Sequence, residues 1–242
     1  DGVIQGLAKL LHIPIVGSDI GGHVVCWNKA YTKELLHANG ISIVTYVVRQ
    51  KGQKVESYGE LVNLFGCSVL FVKPATAGSS IGVSRVTNQE ELTKALALAF
   101  NYSNQILIEQ AIVGRELEVA VLGNPPEHVA SDVGEIVPTD NFYSYEEKYD
   151  SASTTEVKTS TNLVEADRRA IRQYALDAYR VLGCKGQARV DFFLETETGQ
   201  IYVNEVNTLP GFTNISQYPK LWHEQGIKYP QLIDKLIELA LQ

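Results

Sequence analysis

The sequence predicts an α/β (α+β) protein, and three observations carry that reading. Stretches with helical and with strand periodicity alternate along the chain. A Gly/Ser-rich loop, KPATAGSSIGVSRV (73–86), joins two strand-like segments. A late segment, ARVDFFLETETGQIYVNEVN, reads as a hairpin that brings acidic residues face to face.

Taken in order, residues 2–12 have helical apolar spacing, and IPIV (13–16) reads as a short strand. Residues 18–40 hold one or two helices, closed by Asn39-Gly40 as a C-cap. ISIVTYVV (41–48) is a β-run, residues 56–66 a helix, and CSVLFVK (67–73) a strand. After the Gly/Ser loop, IGVSRV is β-like again, and the next helix takes Thr87 or Asn88 as its cap. NQILIEQ (104–110) and ELEVAVLG (116–123) are strands. Residues 137–163 have neither period and read as a long polar loop rich in Tyr, Ser and Thr; loops of that length are usually functional or disordered. A helix over 164–183, the hairpin over 186–207 and a closing helix in PQLIDKLIELALQ complete the chain.

A length of 242 residues suits one large or two small domains. The 45% hydrophobic and 20% charged content is ordinary for a globular chain. No apolar run reaches the roughly 18 residues that span a membrane. The opening DGVIQGLAKLLH reads as an amphipathic helix rather than a signal peptide. A net charge of −7 argues against a general nucleic-acid binder, while leaving room for a local basic pocket. Cys26, Cys67 and Cys184 are too widely spaced for a disulfide framework or a zinc site, and read as reduced, buried thiols of a cytosolic protein. The histidines show no metal-binding spacing and read as structural or surface residues. The chain lacks methionine and opens with Asp-Gly, so a segment upstream is expected to have been removed or left out.

The hairpin has the sharpest geometry. A three-residue loop, Glu197-Thr198-Gly199, sets Asp191 opposite Glu205 and Arg189 opposite Asn207, all on one face. Facing carboxylates repel unless a cation sits between them. Their hard oxygen donors, with the Asn amide, suit Mg²⁺ better than zinc. A solvated face in which Arg189 neutralises one acid is the alternative. The following loop, Thr208–Thr213, can offer a backbone N–H beside Arg189 for a developing oxyanion. The Gly/Ser loop is neither a P-loop nor a dinucleotide fingerprint, because its lysine precedes the glycines and no helix starts there. It reads either as a flap that folds over phosphates, with Lys73 as a point charge, or as a mobile hairpin tip.

In combination, the Lys-plus-Gly/Ser flap, the strand ending at Glu109 and the D…E-x-N hairpin resemble the ATP-grasp superfamily, and most closely its D-alanine–D-alanine ligases. The segments that carry the resemblance are DGVIQGLAKLLHIPIVGSD, FVKPATAGSSIGVSRV, ILIEQAIVGRELEVAVLG, FYSYEEKY, GQARVDFFL and NEVNTLPGFT, running from residue 1 to about residue 220. The resemblance implies two α+β subdomains with the nucleotide held between antiparallel sheets. Residues 1–20 would be the remnant of an N-terminal domain, 21–113 the central subdomain with the flap, and 114–242 the C-terminal subdomain with the metal hairpin and an omega-type loop.

The resemblance also implies roles. Lys29 and Lys73 contact nucleotide phosphates, and Glu109, Ala111 and Ile112 form the adenine hinge. Ser80 and Asn204 join the nucleotide contacts. Asp191, Glu205 and Asn207 hold two Mg²⁺, with Mn²⁺ as a substitute. Arg189 and the Gly211 backbone form the oxyanion hole, and Ser216 holds the carboxylate of the second substrate. Ser79, Glu116 and Tyr149 form a hydrogen-bonded triad that ties the flap to the long loop, with Lys148 near the γ-phosphate. The implied reaction phosphorylates D-alanine with ATP and then joins it to a second D-amino acid, D-Ala or D-Ser, in the cytoplasm, by a homodimer that binds neither nucleic acid nor membrane. Tyr149 favours an amide over an ester product. Asn28, after Trp27, stands where the family usually has Asp after Met. Two other readings compete: an ATP-grasp ligase for a different carboxylate, and a nucleotide-binding module that does not turn over without the N-terminal domain.

Overall fold

The computed structural model describes residues 1–137, 156–159, 161–213 and 216–242. Two antiparallel sheets, each backed by helices on its outer face, hold a cavity between their inner faces.

The chain starts with α1 (Val3–Leu10), α2 (Ile20–Trp27) and α3 (Lys29–Ala38). Asp19 caps α2 by accepting from the Gly22 amide, and Asn28 caps α3 by accepting from the amides of Ala30 and Tyr31. Asn28 therefore has a local role of its own, and its side-chain amide also donates to Gln105 at 3.2 Å.

The first sheet has the order β1-β4-β2-β3, formed by β1 (Tyr46–Gln50), β2 (Leu70–Pro74), β3 (Ser84–Val86) and β4 (Gln105–Gln110). Helices α4 (Tyr58–Phe65) and α5 (Gln89–Tyr102) cover its outer face. Alternation decides which side chains go where. Leu70, Val72, Ile106 and Ile108 face those helices, while Phe71, Lys73 and Glu109 face the cavity.

The second sheet has the order β7-β6-β5-β8-β9. It contains β5 (Gly114–Leu122), β6 (Val129–Val137), β7 (Glu156–Lys158), β8 (Gln187–Glu195) and β9 (Ile201–Asn207). Helix α6 (Glu165–Val181) packs on Leu117, Val119, Val121 and Val190. On the other face, α7 (Gln217–Glu224) and α8 (Tyr229–Ala240) cover Ala120 and Leu122. That leaves the rest of the same face, from Glu116 to Asn204, open to the cavity.

Five expectations need correction. Residues 13–16 form no strand, and the β-run expected over 41–48 narrows to a strand that begins at Tyr46. Residues 156–158, expected within a loop, pair with β6 as an edge strand. Cys67 is only half-buried, whereas Cys26 and Cys184 are buried with their sulfurs 3.5 Å apart.

The fifth correction concerns the hairpin. Its tip is a four-residue turn, 196–199, closed by Glu195 N–H donating to Gln200, so pairing near the tip runs one residue off the expected register. A bulge then restores it. Phe192 pairs with Val203, but Asp191 pairs with Glu205, which leaves Asn204 as the extra residue. The facing pairs Asp191–Glu205 and Arg189–Asn207 are therefore present, reached by a different path.

Tyr179 illustrates what holds the second sheet to its helix. It is fully buried in the core under α6, and its hydroxyl donates to the Gly123 carbonyl at 2.9 Å. Tyr179→Phe keeps the ring and is expected to cost about 1 kcal/mol. Tyr179→Ala also leaves a cavity and is expected to cost about 3–5 kcal/mol. Urea denaturation of both variants checks this; equal losses would contradict the packing account.

Candidate active site

The cavity is walled by both sheets, roofed by the flap and closed at one end by α3. From the first sheet come Lys73 and Glu109; from the link between β4 and β5 Ile112; from the flap Ser79 and Ser80; from the second sheet Glu116, Asn204 and Glu205; and from α3 Lys29.

The flap runs from the end of β2 to β3. Ser79 and Ser80 adopt left-handed backbone, with φ of 53° and 59°. Non-glycine residues rarely do so, and such strain clusters at ligand-binding turns. Gly82 follows with φ of 72°, and a Cβ there would stand 2.7 Å from the Tyr102 ring and 2.8 Å from Pro74. The turn is thus pressed down on α5, which leaves the two serines to face the cavity.

Lys29 reaches across the cavity. Its ammonium donates to the Ala77 carbonyl at the flap base at 2.6 Å and lies 3.9 Å from Glu205. Lys73 donates to Glu109 at 2.7 Å, and Lys33 lies 3.2 Å from the other oxygen of the same carboxylate. Burial alone would push the Glu109 carboxyl up; Lys33 and Lys73 overcome that and hold it at about 2. Burial also works against the charge on Lys73, but Glu109, Glu205 and Glu116 together raise its pKa above the ordinary lysine value.

On the second sheet, Arg189 grips Asp191 with two hydrogen bonds of 2.6 and 2.7 Å and lies 3.1 Å from Glu118. Burial opposes the guanidinium charge, and Asp191, Glu118 and Glu205 outweigh it, so its pKa is raised. The Asn207 amide donates to Asp191 at 3.0 Å and reaches Glu205 at 3.4 Å. Asp191, Glu205 and Asn207 therefore converge as two carboxylates and an amide. Hard oxygen donors of this kind fit Mg²⁺, with Asp191 shared between the cation and Arg189. Among the described residues, no cluster of three His, Cys, Asp or Glu side chains has metal-holding geometry.

Gly211 and Ser216 meet beyond the hairpin. A Cβ on Gly211 would stand 2.7 Å from the Ser216 hydroxyl, so only glycine lets the two segments approach. Ser216 Oγ also accepts from the Thr213 amide at 3.0 Å. His23 ties α2 to the hairpin's end through a 2.7 Å hydrogen bond to the Thr208 hydroxyl.

The expected residues are thus largely brought together. Ser79 and Glu116 line the same cavity; Tyr149 and Lys148 lie outside the described residues. Ala111, Arg189, Asp191, Asn207, Gly211 and Ser216 do not line the cavity, and the Ala111 amide donates to Val69 at 3.0 Å. Two buried charged residues were missed. Lys33 sits among Ala30, Thr32 and Leu36 on the buried side of α3. Glu118 pairs with Asp191 across β5 and β8. Both had a signal: Lys33 falls one helical turn after Lys29, and Glu118 shares the strand face of Glu116.

Two antiparallel sheets enclosing a cavity, with a flap over one end, define an ATP-grasp fold, shared with solved D-alanine–D-alanine ligases. The chain belongs to the family described as "D-ala D-ala ligase C-terminus", whose model matches residues 35–238. It is 48% identical to the D-alanine–D-alanine ligase of Proteus mirabilis and 46% identical to that of Acetivibrio thermocellus, covering all of this chain and 66% and 65% of theirs. The chain thus spans just under two-thirds of the length of these curated relatives. Among solved structures, the D-alanine–D-alanine ligase of Coxiella burnetii superposes with a TM-score of 0.86 at 40% identity, over 99% of this chain and 64% of that one. The VanG D-Ala:D-Ser ligase of Enterococcus faecalis superposes with a TM-score of 0.86 at 34% identity, over 99% of this chain and 69% of that one.

The Glu109 geometry fixes a pH dependence. Its folded pKa of about 2 lies below the ordinary 4.5, so the folded state releases this proton more readily than the unfolded one. The stability it contributes is complete above about pH 4.5 and is lost as pH falls towards about 2. Wild type is expected to lose a few kcal/mol more than Glu109→Gln across that window, on the order set by such a shift. Parallel profiles in urea titrations between pH 5 and 2 would contradict the ion-pair account.

Proposed function

We propose that the chain is the nucleotide- and metal-binding part of an ATP-dependent ligase that joins D-alanine to a second D-amino acid through an acyl phosphate. The observation that carries this reading is the cavity itself. It sets Lys29 and Lys73 against Glu205, the cavity-lining member of a cluster completed by Asp191 and Asn207, as a metal-bound polyphosphate requires.

In this reading, Lys29 and Lys73 hold phosphate oxygens, and Ser79 and Ser80 close over them from the flap. Ile112 borders the adenine. Asp191, Glu205 and Asn207 would hold two Mg²⁺, with Mn²⁺ as a substitute, and the cations shield phosphate charge when bound. Arg189, fixed between Asp191 and Glu118, faces the oxyanion that forms when the amine attacks the acyl phosphate. The approach of Gly211 to Ser216 supports a neighbouring site for the second substrate's carboxylate. Tyr149 with Ser79 and Glu116 would complete the closure, and Lys148 would add charge near the γ-phosphate. The product feeds peptidoglycan precursor synthesis, and the protein works as a cytoplasmic homodimer. Among the described residues, no helix is long and apolar enough to cross a membrane.

ADP release by the chain with Mg-ATP, with and without D-alanine, tests this reading, and product analysis with D-serine separates the two acceptors. The expected result is D-alanine-dependent release that Asp191→Asn and Glu205→Gln abolish without loss of fold by circular dichroism. Normal rates in either variant would refute the metal assignment. ATP binding without any release would reduce the chain to a nucleotide-binding module that needs the rest of the protein.

A further inference from the structure

The roles above leave one buried cation unused. Lys33 is only 2% exposed and does not line the cavity. It stands behind the wall, with its ammonium 3.2 Å from Oε1 of Glu109 and 5.5 Å from the centre of the Tyr46 ring. Glu109 and Lys73 do line the cavity, and Lys73 takes Oε2 of the same carboxylate at 2.7 Å. One carboxylate is thus held from opposite sides, by one cation that meets the cavity and one that does not.

The charge balance follows. Burial lowers the Lys33 pKa and the Glu109 carboxylate opposes it; with both lysines charged, two ammonium groups and one carboxylate leave the trio with a surplus positive charge. Without Lys33, Lys73 and Glu109 would form a neutral pair, which attracts a polyphosphate only weakly. The site is largely removed from water, so solvent and salt screen the difference little.

We propose that Lys33 is a positioning residue for phosphate recognition: by neutralising Glu109 from behind the wall, it leaves the Lys73 ammonium's charge available to a polyphosphate ligand in the cavity. This inference rests on the reading of the cavity as a nucleotide site.

Calorimetric titration of the 242-residue chain with Mg-ATP and with adenosine tests it. Adenosine lacks phosphates, so the ratio of the two affinities isolates the charge effect from any general damage to the pocket. Lys33→Met is expected to lower the ATP-to-adenosine ratio by about tenfold or more, the order expected for one unit charge at this range in a weakly screened site. Lys33→Met combined with Glu109→Gln restores the surplus charge and is expected to return the ratio to the wild-type value. If Lys33→Met alone does not fold, Glu109→Gln supplies the second arm and is expected to raise the ratio. An unchanged ratio in Lys33→Met, a low ratio in the double variant, or a flat ratio in Glu109→Gln would each overturn the proposal. A wild-type chain that binds neither ligand would remove the nucleotide reading itself, an outcome distinct from binding that ignores Lys33.

Discussion

A carboxylate buried between two lysines holds the floor of the cavity together. Glu109 sits in the centre of the first sheet at 1% exposure, and its charge survives there because Lys33 and Lys73 claim its two oxygens. Stripping water from one ion would be costly, and the paired geometry offsets that cost. The same contact joins three elements: α3 through Lys33, β2 through Lys73 and β4 through Glu109. With α3 fixed, Lys29 falls one turn from Lys33 and reaches both the flap base and Glu205 of the opposite sheet.

The second sheet repeats the arrangement with the signs exchanged. There, Arg189 is the half-buried cation, with Asp191 and Glu118 beside it, and Glu205 and Asn207 extend the acidic patch towards the cavity. Lysines on one wall and carboxylates on the other form a gradient of charge that a polyphosphate with divalent cations bridges in one orientation. The fold supplies this arrangement by strand parity: each sheet packs apolar residues outward against helices, and the alternate positions are left to line the cavity.

Much of this was legible in the sequence. The expected three-residue tip, with strand parity, gave the pairs Asp191–Glu205 and Arg189–Asn207, and the lysine before the Gly/Ser loop marked the flap. The bulge at Asn204 was hidden because the expected three-residue tip produced the same pairs without it. Its trace lies in Val203 and Val206, buried three residues apart in a strand where alternation demands two. The strand expected over 13–16 failed because a short apolar run carries no information about a pairing partner. Lys33 and Glu118 escaped notice because a charged residue on a buried face gives no sign of the partner that pays for its burial until the fold brings the two together. Ala111 was assigned from its place in a motif, and its amide is taken up by Val69, a contact that no local pattern encodes.

A crystal structure of the chain with Mg²⁺ and a non-hydrolysable ATP analogue tests the central claim most directly. The account predicts the phosphates between Lys29, Lys73 and the flap serines, with metal density against Asp191, Glu205 and Asn207. A nucleotide bound elsewhere, or phosphates facing away from the hairpin with no metal at those three residues, would contradict it.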